Sequence, residues 1–381
     1  MTSALADSEA DEEDELEGVE DNEADGRSLV DKRRSSSSVA TSTAATYTPS
    51  SIGAAGSYAR CLSQGGSASG SRRSSLMLDD ATPLASHSVY SRKGKMLFKL
   101  GSRGADAGNF TWPRGVAVGQ AGLAPLGRSE IIVADSSNHR VQVFDYGGRF
   151  LNEFGSYGSA PGQFDCLAGV AINRCSKNYV ISDRYNHRIQ VFDMAGRFVR
   201  SFGEHGREQA KFNLPWGVAC DSRLGTVYVC DKENHRVQVF DIDGRYLSRF
   251  GSNGAEAGQM QHPHYIAAGL GRIVLTDTNN HRVQVFDSSG RLMRTIGQEG
   301  SARGQFKFPR GVAMDETGHI IVGDSGNNRL QIFNPEGIFI KAIGTWGSAE
   351  GEFKGIEGVA VDSASNNILV CDRENHRIQV F

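Results

Sequence analysis

The sequence predicts an all-β fold, a closed six-bladed β-propeller, and three observations carry that prediction. A six-residue signature recurs six times. Each repeat holds four short strand-like runs. The strand count then closes the ring without a remainder.

The signature is Asp-x-x-Asn-His-Arg, at Asp135–Arg140, Asp183–Arg188, Asp231–Arg236, Asp277–Arg282 and Asp372–Arg377. A sixth copy, Asp324–Arg329, has Asn328 in place of His. Successive Asp residues lie 48, 48, 46, 47 and 48 apart, a blade-sized period. The first run of a repeat is Gly-Val-Ala-x, as at Gly115–Val118 and Gly217–Cys220. The second ends at the signature Asp, and the third is the alternating Arg-Val-Gln-Val-Phe that begins at Arg140. The fourth is aromatic-rich and ends in Gly, as at Phe150–Gly155. Alternation with β-branched and aromatic residues makes all four strands. Asp-x-x-Gly-Arg, as at Asp145–Arg149, supplies the last hairpin, its Gly able to take a positive φ.

The sixth repeat ends at Phe381, after a third strand. Residues 96–101, Met-Leu-Phe-Lys-Leu-Gly, read as a fourth strand with no blade before it. It is expected to pair with Arg377–Phe381, leaving no orphan edge. Six complete blades favour a native C-terminus.

Ahead of the repeats, residues 1–92 read as a disordered acidic, Ser-rich tail. They carry a net charge of −7, and the remaining residues +4. Such composition buries too little apolar surface to offset chain entropy. Two Arg-Arg-Ser-Ser islands suit a basophilic kinase and make Ser36 and Ser75 hypothetical phosphosites. Chance in an Arg/Ser-rich tail is the competing account.

No stretch of about 18 apolar residues exists, so no membrane span is expected. The acidic first 20 residues lack a secretory signal. The six Cys form no C-x-x-C pair, which argues against zinc and redox modules and fits reduced thiols in the cytoplasm. Cys230 and Cys371 fall in strands and are expected to be core groups. No cofactor is expected.

The repeats resemble NHL repeats, named for an Asn-His-Leu-like triplet that is Asn-His-Arg here. Residues 110–115 (Phe-Thr-Trp-Pro-Arg-Gly), 164–169 and 372–377 are similar to the tripartite-motif NHL family, nearest to its Thin-type members. That resemblance implies a non-catalytic platform recruiting protein substrates or partners to a ubiquitin-ligase assembly. Some relatives instead bind RNA stem-loops with the same face. The family's RING, B-box and coiled-coil signatures do not precede residue 96, so ligase activity is not expected on this chain. A truncated gene model and a short form would both account for that. Without the coiled coil, a monomeric propeller is expected, with neither membrane nor DNA as a partner.

Antiparallel order places the second-to-third turn and the inter-blade loop on one face. Residues just ahead of each first strand are expected to rim the channel there: Arg114, Ala168, Trp216, His264, Arg310 and Glu357. Nearby turns add Arg184, Tyr185, Lys232, Glu233, Arg373 and Glu374, and blade four places Tyr265 where other blades have Gly. The predicted site is Arg114, Arg184, Tyr185, Trp216, Lys232, His264, Tyr265, Arg310 and Arg373. Arginine among aromatics suits a protein hot spot or nucleic-acid stacking. Over the wider face, 11 basic residues meet 11 acidic ones, which places protein ahead of RNA. Trp216 and Trp112 have packing as their alternative role. The signature Asp and Arg are expected to bridge strands, with Asn capping the turn. The five His occupy equal positions around a ring and cannot converge on one metal. A metal-dependent lyase is the third and least favoured reading.

Overall fold

The computed structural model describes residues 88–119, 129–221 and 223–381. Ser36 and Ser75 lie outside them. Six four-stranded antiparallel sheets form the propeller. Their innermost strands are Pro113–Gly119, Leu167–Asn173, Pro215–Asp221, Pro263–Gly269, Pro309–Met314 and Ile356–Val361. Blade six takes its outer strand, Phe98–Leu100, from the start of the ring, with Phe98 opposite Val380 and Leu100 opposite Ile378. The ring closes through that ladder. Cys230 and Cys371 are fully buried.

The signature residues are hubs that tie each blade together. Asp231, buried, accepts from Arg236 Nε at 2.7 Å, from Asn234, from Gln238 and from the backbone N–H of Asn213. Arg236 then donates to the carbonyls of Arg207, Glu208 and Lys211 in the preceding inter-blade loop. A buried carboxylate with this many donors is satisfied, and the loop it holds becomes rigid.

The signature His joins one blade to the next. His139, His187, His235, His281 and His376 all sit in the left-handed region, with φ of 51–52°. Their Nδ1 atoms accept backbone N–H groups of Cys166, Leu214, His262, Phe308 and Trp112 at 3.1–3.3 Å. Asn328 Oδ1 accepts from Gly355 in the same way at 3.2 Å. The substitution in the sixth copy therefore keeps the function of the position.

The Gly of Gly-Val-Ala is dictated by close approach of neighbouring blades. A Cβ on Gly311 would lie 2.1 Å from the Glu357 carbonyl oxygen and 2.7 Å from Val359 Cγ2. Gly311→Ala is expected to destabilise by about 1–3 kcal/mol through overpacking against backbone. The shift in urea midpoint at constant m-value measures it.

The described chain meets the propeller earlier than residue 93. Residues Val89–Arg92 form a 3-10 turn, and Tyr90 is fully buried against blades five and six. Tyr90 stands in a polar tail with no periodicity from which to read this.

Candidate functional site

Each innermost strand begins two residues earlier than its Gly-Val-Ala run suggests. Pro113 pairs with Asp135, but Val116 pairs with Val133, so one extra residue bulges between them. Blades two to six repeat the irregularity. A bulge re-aims side chains. Here it sends Arg114, Trp216, His264, Arg310 and Glu357 into the channel rather than onto its rim, because residues of blades one, three, five and six touch one another.

Glu357 is the centre of this plug. It is fully buried, lies 3.6 Å from Arg114 Nη1, and accepts a short hydrogen bond from Arg310. Burial raises a carboxyl's pKa, but the charges of Arg310, Arg114 and Arg373 outweigh it and hold Glu357 below its usual range. Trp216 is also fully buried, and three cations surround its indole: Arg184 at 4.5 Å, Arg114 at 5.0 Å and Lys232 at 5.1 Å. His264 packs edge-on to it at 4.8 Å. Tyr265, from blade four, donates to the Arg114 carbonyl of blade one at 3.0 Å, across the ring. The side chain that replaces Gly there crosses the channel.

This corrects the sequence-based picture of the site. Arg114, Arg184, Trp216, Lys232, His264, Tyr265 and Arg373 are all buried, at 7% exposure or less. Of the nine predicted residues, Tyr185 and Arg310 keep partial exposure. Tyr185 lies under the Arg184 guanidinium at 4.4 Å. Arg373 stands over Trp112 at 5.6 Å and pairs with Glu374. The predicted residues do come together, but as a sealed cluster. Below it the channel is a cavity of about 490 Å³ opening on the opposite face, where Arg174 and Glu316 pair at 3.7 Å.

The exposed groups on the signature face are elsewhere. Arg103, Tyr157, His205, Asn253, Glu299 and Trp346 occupy one equivalent loop position, each bridging to the loop's large apolar residue. Tyr157 is 66% exposed and Trp346 67%. Lys354 Nζ lies 4.9 Å over the Trp346 ring, and Tyr157 packs edge-on to His139 at 4.8 Å. Trp346, Arg103 and Tyr157 are consecutive around the ring, forming an aromatic and basic crescent. Comparing the six loops position by position reveals two aromatics there; the reading centred on the channel passed over them.

Among the described residues, no group of three or more His, Cys, Asp or Glu is placed to hold a metal, and no helix is long and apolar enough to cross a membrane.

Fold, hubs and inter-blade histidines together define a β-propeller built of one repeated Asp-Asn-His-Arg module. The NHL-repeat family model matches residues 128–144, 164–192, 212–240, 260–286, 306–333 and 353–381, one segment per blade, and the chain is an NHL-repeat β-propeller. Its relatives over this region are tripartite-motif NHL proteins. RING finger protein nhl-1 of Caenorhabditis elegans is 47% identical over 82 residues, 22% of this chain and 8% of its own length. Protein brain tumor of Drosophila melanogaster is 37% identical over 114 residues, 28% of this chain and 10% of its own. The chain thus matches a tenth or less of these relatives. Among solved structures, an auxiliary nutrient binding protein from Bacteroides thetaiotaomicron superposes with a TM-score of 0.54 at 14% identity, covering 76% of this chain and 72% of that one. A catalytically inactive virginiamycin B lyase from Staphylococcus aureus gives 0.50 at 13% identity, covering 74% and 84%. At such identities the likeness is one of fold alone.

Proposed function

We propose that the propeller is a non-catalytic platform that captures protein partners on its signature face and presents them to a ubiquitin-ligase assembly. The observation that carries the binding reading is the pair of aromatics, Tyr157 and Trp346, each about two-thirds exposed on loops that flank the Arg103 loop and are held rigid by the signature hubs. Exposed aromatics on rigid loops are the usual anchors of protein interfaces. Charge favours protein over RNA. Arg114, Lys232 and Arg373 are buried beside carboxylates, Arg184 is buried against the rings of Tyr185 and Trp216, and all four are withdrawn from the surface. Ligase association rests on the kinship with nhl-1, which is named a RING finger protein.

Proximity labelling with the full chain in cells tests this. Trp346→Ala/Tyr157→Ala is expected to lose most of the proteins labelled by wild type, ubiquitin-ligase subunits among them, while thermal unfolding stays unchanged because both rings are exposed. An unchanged protein set would end the platform reading for this face. Saturable binding of a random stem-loop RNA pool, falling steeply from about 50 to 200 mM salt, would reassign the crescent to RNA.

A further inference from the structure

The seam between blades five and six holds a short stretch of chain that belongs to neither blade. Tyr90 fills the core there and donates its hydroxyl to Asp315 at 3.0 Å. Its ring lies 5.2 Å from that of His319. Two residues earlier, Ser88 Oγ meets His319 Nε2 at 3.3 Å. Three residues later, Lys93 Nζ donates to Asn367 Oδ1 at 2.5 Å and to the Phe381 carbonyl at 3.3 Å. Lys341 Nζ donates to the carbonyls of Ser91 and Lys93. The seam therefore reads a buried tyrosine, a serine before it, a lysine after it and the main chain between them. Those are the elements of a peptide-recognition groove.

A related arrangement occurs within the ring. Tyr179, four residues before the signature Asp of blade two, is buried against blade one and donates to Glu130 at 3.2 Å. The corresponding residue of blade six is Ile368, which is fully buried but has no hydroxyl. Tyr90 brings a tyrosine–carboxylate pair to this interface from outside the repeats.

The segment can leave without opening the ring. Closure rests on Phe98–Leu100 and on the Leu97 N–H donating to the Val380 carbonyl at 2.7 Å. Between clasp and closing strand stands Gly94 at φ +144°, a conformation that favours glycine. We propose that the seam of blades five and six is a docking groove for Ser-x-Tyr-x-x-Lys peptides, occupied in cis by residues 88–93, and that a partner segment of this chemistry displaces the clasp. This does not depend on the crescent reading. A cis segment on so short a tether acts at an effective concentration in the millimolar range, so the groove is closed by default.

The probe is a fluorescein-labelled peptide of residues 86–95, tested by anisotropy on the full chain. Tyr90→Ala protein is expected to bind it at least about tenfold more tightly than wild type, because its own clasp no longer competes. The peptide carrying Tyr90→Ala, and Tyr90→Ala/Asp315→Ala protein, should both lose that binding. Folded Tyr90→Ala protein that ignores the peptide, or that binds it no better than wild type, would overturn the proposal. Should Tyr90→Ala not fold, hydrogen exchange on wild type decides. The Tyr90, Ser91 and Lys93 amides should exchange faster than the innermost strands, and faster still with free peptide. Protection equal to the core, unmoved by peptide, overturns displacement.

Discussion

Glu357→Ala is expected to cost about 3–5 kcal/mol of stability, the range seen when one partner of a buried charge cluster is removed. Arg114 and Arg310 contact this carboxylate and Arg373 is within its field. Burial, and then the charge of Arg114, already depress the Arg373 pKa, so these cations repel one another even with Glu357 present. Alanine would leave them together inside the channel, without their common counter-charge and away from water. Glu357→Gln should fall between wild type and alanine, since the amide oxygen still accepts from Arg310 but carries no charge. Urea unfolding at neutral pH reads all three proteins, with the m-value checking that the unfolding reaction is the same. A loss below about 1 kcal/mol would mean that the plug is screened by water. The crescent of Trp346 and Tyr157 should keep its binding in whatever fraction stays folded.

The plug also shows where sequence reasoning stops. The ring, its six blades and its closing strand were legible because each rests on repetition: the Asp-x-x-Asn-His-Arg spacing, the Gly-Val-Ala runs, and a spare fourth strand at Phe98–Leu100. The strand-bridging role of Asp and Arg was legible for the same reason. The bulge was not. It shifts the strand start from Gly115 to Pro113, and a shift of that size decides whether Arg114 points to solvent or to the axis. Residue types alone brought Arg114, Trp216 and Arg310 to the channel mouth but put them on its rim, whereas the bulge turns them inward. The role of His was half legible. Equal positions around a ring argue against a shared metal, but its acceptor function depends on a left-handed backbone and a ring nitrogen facing the next blade. Tyr90 and Trp346 are departures from the repeat, visible only once the repeat has been laid out in space.

Those histidines set the second large expectation, a loss of stability on mild acidification. Each donates nothing through Nδ1 and accepts a backbone N–H there, so protonation removes the acceptor and the inter-blade bond with it. Burial first, then the charges of His205 and Arg184, lower the His187 pKa from 6.5 to about 4. Burial is also the leading cause of the lowered values of His235, His281 and His376. A folded pKa below the unfolded one means that the unfolded chain takes up protons first. The stabilisation is therefore complete above pH about 6.5 and drains away as pH falls toward each folded value. At pH about 5.5, still above the usual carboxylate range, each of these four should have lost up to about 1 kcal/mol, discounted for partial exposure. The sum is at most about 4 kcal/mol, read as a falling urea midpoint between pH about 7.5 and 5.5. Asn328 supplies the control, because its amide oxygen makes the same bond to Gly355 and does not titrate in this range. His187→Asn should keep most of the stability at neutral pH and flatten the acid slope by one group's share, whereas His187→Ala should lose about 1 kcal/mol at neutral pH and approach wild type near pH about 5.5. An acid slope unchanged by His187→Asn would show that His187 is not a titrating group in the transition, and would move the cause of acid sensitivity to carboxylates held low in the fold, Glu357 among them.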